Sequence, residues 1–249
     1  MKTLVPFFMG MIALPALATP ITSPFYLPQA GHVLSQTTAQ YTKNKIKNNA
    51  SMRLYRRNLS EEITLGLGAG MALLINGDLN WTRQKHPLFS VHSSAKSYSA
   101  GLKGQWNWES VMAQFTAQYH QTTDVDFAPR RAIEAHMRLG KALKAMTPYL
   151  HLAGTFPLNA RSAFNAPIYR GETGVFQPIK ESMTLDTALY LQYDKNTKER
   201  SYGIRAEWSY ALTSWMSFGL NGTWQARGKA SHSTKTYHQS AGAKITFAF

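Results

Sequence analysis

The residues best placed to do chemistry are Glu134, His136 and Arg138. They stand at every second position, so in an extended strand all three side chains leave one face. His136 has the chemistry of a general base, and Glu134 that of a carboxylate that could orient its ring. The same parity in other segments carries Asp78, Lys103, His120, His151, Asp186, Arg205, Glu207, His238 and Lys244. A plainer account competes with catalysis. A closed sheet with a polar interior is filled by this same mixture, paired toward neutrality. No nucleophile motif tips the balance. Ser93-Ser94-Ala95-Lys96 fits Ser-x-x-Lys, but it is expected in a polar loop, where the match arises easily by chance. The chain has no cysteine, which excludes disulfides, thiolate metal sites and a thiol nucleophile. Gly66, Gly68 and Gly70 alternate along a strand with no helix to follow, so they do not make a phosphate loop. Asp124 and Asp126 are too few oxygen donors for calcium, and the histidines lack metal spacing. No catalytic residue, metal or cofactor is assigned.

The elements that would carry these residues are strands. Segments of about ten residues alternate apolar with polar, separated by turn residues. Ile63, Leu65 and Leu67 oppose Thr64, Gly66 and Gly68. Ile75, Leu79 and Trp81 oppose Asn76, Asp78 and Asn80. Tyr202, Ile204, Ala206 and Trp208 oppose Arg205 and Glu207. Eleven strands can be read directly. A parity mismatch falls within Pro157 to Ser182, and an irregular strand is expected there, around Ala160 to Arg170. An even-numbered barrel then needs about twelve strands, with ten as the alternative. Loops are expected over Lys43–Asn48, Gln84–Lys96, Gln121–Arg131, Asp194–Glu199 and Ala226–Lys235. Turns are expected at Met71–Leu74 and Ala211–Ser214, and a bulge near Arg56–Ser60, where parity changes.

Both ends of the chain bear on location. Lys2, the apolar run Leu4 to Leu14, Pro15 and Ala16-Leu17-Ala18 have the layout of a secretory signal over residues 1–18, leaving a mature chain from Thr19. The apolar run is too short to span a bilayer as a helix. A net charge of +14 in a soluble protein would suggest nucleic acid, but an exported chain argues against that partner. Lipopolysaccharide phosphates or anionic solutes are the alternatives.

At the other end, Ala241, Ala243, Ile245, Phe247 and Phe249 share one parity, while Ser240, Gly242, Lys244, Thr246 and Ala248 share the other. This resembles the C-terminal strand of bacterial outer-membrane β-barrels, whose final Phe belongs to the signal read by the barrel-assembly machinery. A weaker similarity, to XagA-like barrels, rests on Leu27-Pro28-Gln29-Ala30-Gly31. The resemblance implies an all-β, antiparallel transmembrane barrel over residues 19–249, in the outer membrane of a Gram-negative envelope, with Phe249 as assembly signal. Trp81, Trp106, Trp208, Trp224, Tyr98, Tyr119, Tyr193 and Tyr202 fall on the outward parity, as an aromatic girdle requires.

Three functions follow from that fold. The first is a porin-like channel, or a transport or export component, for small or anionic solutes. The second is a non-conducting structural or surface-interaction barrel. The third is a lipid-modifying enzyme. Pore-lining candidates are Asp78, Lys103, Glu134, His136, Arg138, Asp186, Arg205, Glu207 and Lys244, a set nearly balanced in charge. Lys43, Lys45 and Lys47, with Arg53, Arg56 and Arg57 below them, are candidates for contact with lipopolysaccharide phosphate, since guanidinium forks suit phosphate oxygens.

Overall fold

A computed structural model describes residues 21–46, 53–85, 89–124, 127–158, 166–229 and 235–249. The expected signal over residues 1–18, Lys47 and Asp126 lie outside the described residues. The described chain forms twelve strands: β1 (Val33–Ile46), β2 (Arg53–Gly68), β3 (Met71–Lys85), β4 (Ser90–Trp108), β5 (Val111–Asp124), β6 (Phe127–Lys141), β7 (Thr147–Pro157), β8 (Ile168–Lys180), β9 (Met183–Asp194), β10 (Glu199–Ala211), β11 (Met216–Lys229) and β12 (Lys235–Ala248). Each pairs antiparallel with its sequence neighbours, and β1 pairs with β12 to close the barrel. Closure leaves no sheet edge, so the wall satisfies its own backbone groups, as hydrocarbon demands.

The alternation is inside-out relative to a soluble protein. Leu191 is 69% exposed on the outer face, and Ile63, Ile75, Leu102, Phe115, Leu189, Ile204 and Leu220 are exposed with it. Thr64, Ser97, Gln114, Glu172, Asp186 and Thr246 are buried within. The short connections Ala69–Gly70, Glu109–Ser110 and Glu181–Ser182 lie at the same end as both termini, which is the periplasmic end in barrels of this kind. At Gly70 the turn is tight. Its φ is +73°, and its carbonyl accepts from the Gln105 amide at 2.7 Å, so a side chain there would run into the Gln105 carbonyl.

Several boundaries differ from expectation, mostly for one reason. A tilted strand needs only about 9–11 residues to cross the bilayer, yet β4 has 19 and β2 has 16. The wall continues past the hydrocarbon, where polar residues face outward without penalty and alternation fades. So Lys43, most of Gln84–Lys96, and Gln121 to Asp124 with Phe127 to Arg131 are strand rather than loop. No bulge interrupts Arg56 to Ser60. β2 stays in register from Arg53 to Leu65 against both neighbours, and the shift against β3 falls at Gly66/Gly68. The turn expected at Met71–Leu74 comes earlier, at Ala69–Gly70. The twelfth strand, β8, starts at Ile168 rather than around Ala160.

Residues 21–32 precede the wall and enter the lumen. Phe25 is fully buried in one cluster with Met112, Tyr149, Phe176 and Ala188, which belong to β5, β7, β8 and β9. Behind it, the Gly31 amide donates to the Gly66 carbonyl at 2.9 Å, and the Gly66 amide donates to His32 at 2.9 Å. Gly66 is needed there, because a side chain would strike the Gln29 and Pro28 carbonyls.

Candidate functional site

The register of β6 to β10 stacks the lumen charges side by side. Arg138 stands opposite His151, His151 opposite Glu172, and Asp186 opposite Glu207. Arg205 joins the carboxylates. Its Nε donates to Glu172 Oε1 at 2.7 Å, its Nη1 to Asp186 Oδ2 at 2.9 Å and its Nη2 to Tyr149 Oη at 2.5 Å. Tyr149 in turn donates to Asp186 Oδ1 at 2.7 Å. Arg170 Nη2 donates to the other oxygen of Glu172 at 2.9 Å, and its guanidinium lies 4.3 Å over the Tyr190 ring. On the far side, Lys244 donates to Glu207.

The triplet on β6 divides by partner. His136 does not meet Glu134 within hydrogen-bond distance. The pair is 3.8 Å apart, and Glu134 accepts instead from Gln118 at 2.8 Å. His136 stacks on His151 with ring centroids 5.5 Å apart, Nδ1 lying 3.3 Å from His151 Nε2. Arg138 turns to the N-terminal segment. Its Nη1 donates to the Pro24 carbonyl at 2.6 Å, while its guanidinium carbon lies 5.9 Å from the Phe25 ring centroid and 5.7 Å from that of Tyr149.

Between this wall and the segment lies a cavity of about 470 Å³. Of the pore-lining candidates, Lys103, His136, Arg138, Asp186, Arg205, Glu207 and Lys244 line it. Asp78 and Glu134 do not, although they share the inward register. Glu62, Arg170 and Glu172 line it too and are absent from the candidate set. The pattern at β8 hid Glu172, because the inward positions include apolar Ile168 and Phe176 while Thr173 and Gln177 face out. Phe176 is inward because it packs near Phe25. Phe25 itself carried one legible signal, an aromatic between Pro24 and Pro28 outside any strand.

The basic group near the far rim also divides. Lys43, Arg53 and Arg57 share the outward parity of Tyr41, whereas Arg56 has the inward parity, near His238. The backbone of Lys45 pairs with Arg53 and Tyr237.

Comparison with family models gives no match, and neither does comparison with curated proteins. Solved structures do match. The COG4313 outer membrane channel from Pseudomonas putida F1 aligns at a TM-score of 0.68, with 11% identity, over 91% of this chain and 98% of that one. The fold is that of the bacterial outer-membrane β-barrels. The transport unit of the autotransporter AIDA-I from Escherichia coli aligns at 0.54, with 11% identity, over 94% of each chain. The CymD monoaromatic hydrocarbon channel aligns at 0.53, with 8% identity, over 89% of each. At such identities the likeness is one of architecture. The apolar exterior and closed wall agree with it, and seat this barrel in the outer membrane.

Proposed function

We propose that the barrel is a channel for small solutes, held shut at its periplasmic mouth by residues 21–32. The observation that carries this reading is the placement of Phe25 and Pro24. A barrel built only as a wall fills its lumen with wall side chains. Here a separate segment enters through the mouth; the Phe25 ring and the Arg138–Pro24 hydrogen bond hold it inside, and Gly31 and His32 tie its end to Gly66. Such a segment can leave without unpairing a strand. That two of the architectural neighbours are named as channels supports the reading. Planar-bilayer recording tests it. The wild-type barrel should open rarely. Phe25→Ala should raise mean conductance, and so should Gly140→Ala, whose added carbon would strike the Phe25 ring. Absence of conductance from all three would overturn the proposal.

Selectivity belongs to the same proposal. Arg170 and Arg205 together neutralise Glu172 and Asp186, and Lys244 neutralises Glu207. Among the described residues that line the cavity, Lys103 and Arg138 have no carboxylate within 4.0 Å, and two such cations do not make an unpaired ring of one sign. The excess positive charge at the rims favours anions modestly, and salt screens it within about 8–10 Å. Outward Lys43, Arg53 and Arg57 are proposed to meet lipopolysaccharide phosphate, and Phe249 to be read by the barrel-assembly machinery.

A non-conducting barrel is the second reading. The buried Arg205 network favours it, because it ties β7, β8, β9 and β10 together across the lumen face.

A further inference from the structure

The place taken by Phe25 has the features of a ligand site. Its ring lies in one buried cluster with Met112, Phe176 and Ala188, with Tyr149 edge-on at 6.2 Å and 80°. Gly140 supplies the floor, and no residue larger than glycine would leave the ring room. Arg138 stands at the rim of this pocket. It donates to a neutral carbonyl, that of Pro24, and its buried Nε has no partner. None of the ion pairs within 4.0 Å among the described residues includes Arg138. A guanidinium with unused donors is a poor match for one carbonyl and a good match for a carboxylate, which it can grip through two parallel bonds. Lys103 faces the adjoining cavity from β4 and also lacks a carboxylate within 4.0 Å among the described residues. That cavity, at about 470 Å³, is of ligand-pocket size.

We infer that Pro24-Phe25 sits where a solute sits, and that the solute class is an arylalkyl carboxylate. The ring replaces that of Phe25, and the carboxylate replaces the Pro24 carbonyl on Arg138. This rests on the channel reading and gives it a substrate class. The spacing follows from the covalent path. The Phe25 ring joins the Pro24 carbonyl carbon through Cβ, Cα and N, so three atoms separate ring from carboxyl carbon in the matching solute. The segment is tethered close by, at an effective concentration that reaches the millimolar range for short linkers. A free solute must outcompete it, which lowers apparent affinity and couples binding to release of the segment.

The probe with this spacing is 4-phenylbutyrate. Its controls are 4-phenylbutanol, which keeps the ring without the charge, and butyrate, which keeps the charge without the ring. In calorimetry on the purified full barrel in detergent, Phe25→Ala should bind 4-phenylbutyrate about tenfold more tightly than wild type, because the competitor is gone. In that variant the alcohol and butyrate should each bind about tenfold more weakly than the acid. Adding Arg138→Met should abolish the preference for acid over alcohol. Glu62→Gln, which removes a carboxylate from the cavity beside Lys103, should strengthen binding of the acid. Heat-modifiable migration checks that each variant is folded. Because the chain has no cysteine, Ser23→Cys provides a unique thiol beside Phe25. Its labelling should accelerate with 4-phenylbutyrate and stay unchanged with butyrate, a readout that keeps Phe25 and Arg138 in place and replaces only the Ser23 hydroxyl that accepts from the Phe25 amide. Equal affinity of wild type and Phe25→Ala for the acid, equal binding of acid and alcohol, or an unchanged labelling rate would each overturn the inference. Bilayer conductance separates it from the channel reading. Opening without binding would leave the channel and remove the site, and binding without opening would do the reverse.

Discussion

At the residue scale, Arg205 is the most committed charge in the lumen. Only 18% of its side chain is exposed, and it serves Glu172, Asp186 and Tyr149 at once. Removing it takes the ion-pair partner from Asp186 and leaves Glu172 to Arg170, and a buried carboxylate without its partner is far worse than the loss of a whole pair. Arg205→Met should destabilise the barrel by about 3 kcal/mol in urea unfolding. Combining it with Glu172→Gln and Asp186→Asn should recover much of the loss. Equal destabilisation in the triple variant would show that packing, not charge, is at stake. The alternation placed Arg205 and Asp186 correctly on one face, because both lie on strands whose outward residues are plainly apolar. It missed Glu172 because the inward side of β8 mixes charge with Ile168 and Phe176. Strand parity reports polarity, and a lumen that holds an aromatic segment is locally apolar on the inside.

At the element scale, strand length decided most errors. Periodic hydrophobicity marks only the part of a strand in hydrocarbon, so the extensions above it read as loops. Arg130 and Arg131 show the consequence. They were expected in a loop, yet they pair with Thr122 and Gln121 on β5. The short turn after β9 is different. Asp194 Oδ1 accepts from the Asn196 and Thr197 amides, and Lys198 has a φ of +54°. Trypsin applied to intact cells should therefore cut at Lys195 or Lys198 and spare Arg130 and Arg131. Mass spectrometry of the fragments would show it. Cleavage at Arg131 ahead of Lys195 would mean that the upper wall between β5 and β6 is open.

At the scale of the whole molecule, fold class, closure and strand number were legible, since parity over many hairpins must be consistent around a ring. What fills the ring was not, because Ile21 to His32 has no periodicity to read. The seam joins the two ends. Phe249 donates to the Val33 carbonyl at 2.8 Å and accepts from the Val33 amide at 2.9 Å, and its ring stacks on Phe247 with centroids 6.1 Å apart. Phe249→Asp should sharply lower the yield of heat-modifiable barrel in membranes. Phe249→Tyr, which keeps the ring, should restore most of it. Normal yield from the Asp variant would show that the terminal ring has no part in insertion.

The seat of Phe25 also sets an order of events during biogenesis. Its walls come from residues spread between Met112 and Ala188, so no pocket exists until five consecutive strands, β5 to β9, lie side by side. Contacts this distant in sequence form late, after the intervening chain has been ordered. Until then Phe25 and its neighbours should stay open to a protease. Resistance of this stretch to a periplasmic protease thus acts as a timestamp for wall completion. The earliest described residues of the chain should be the last to come to rest.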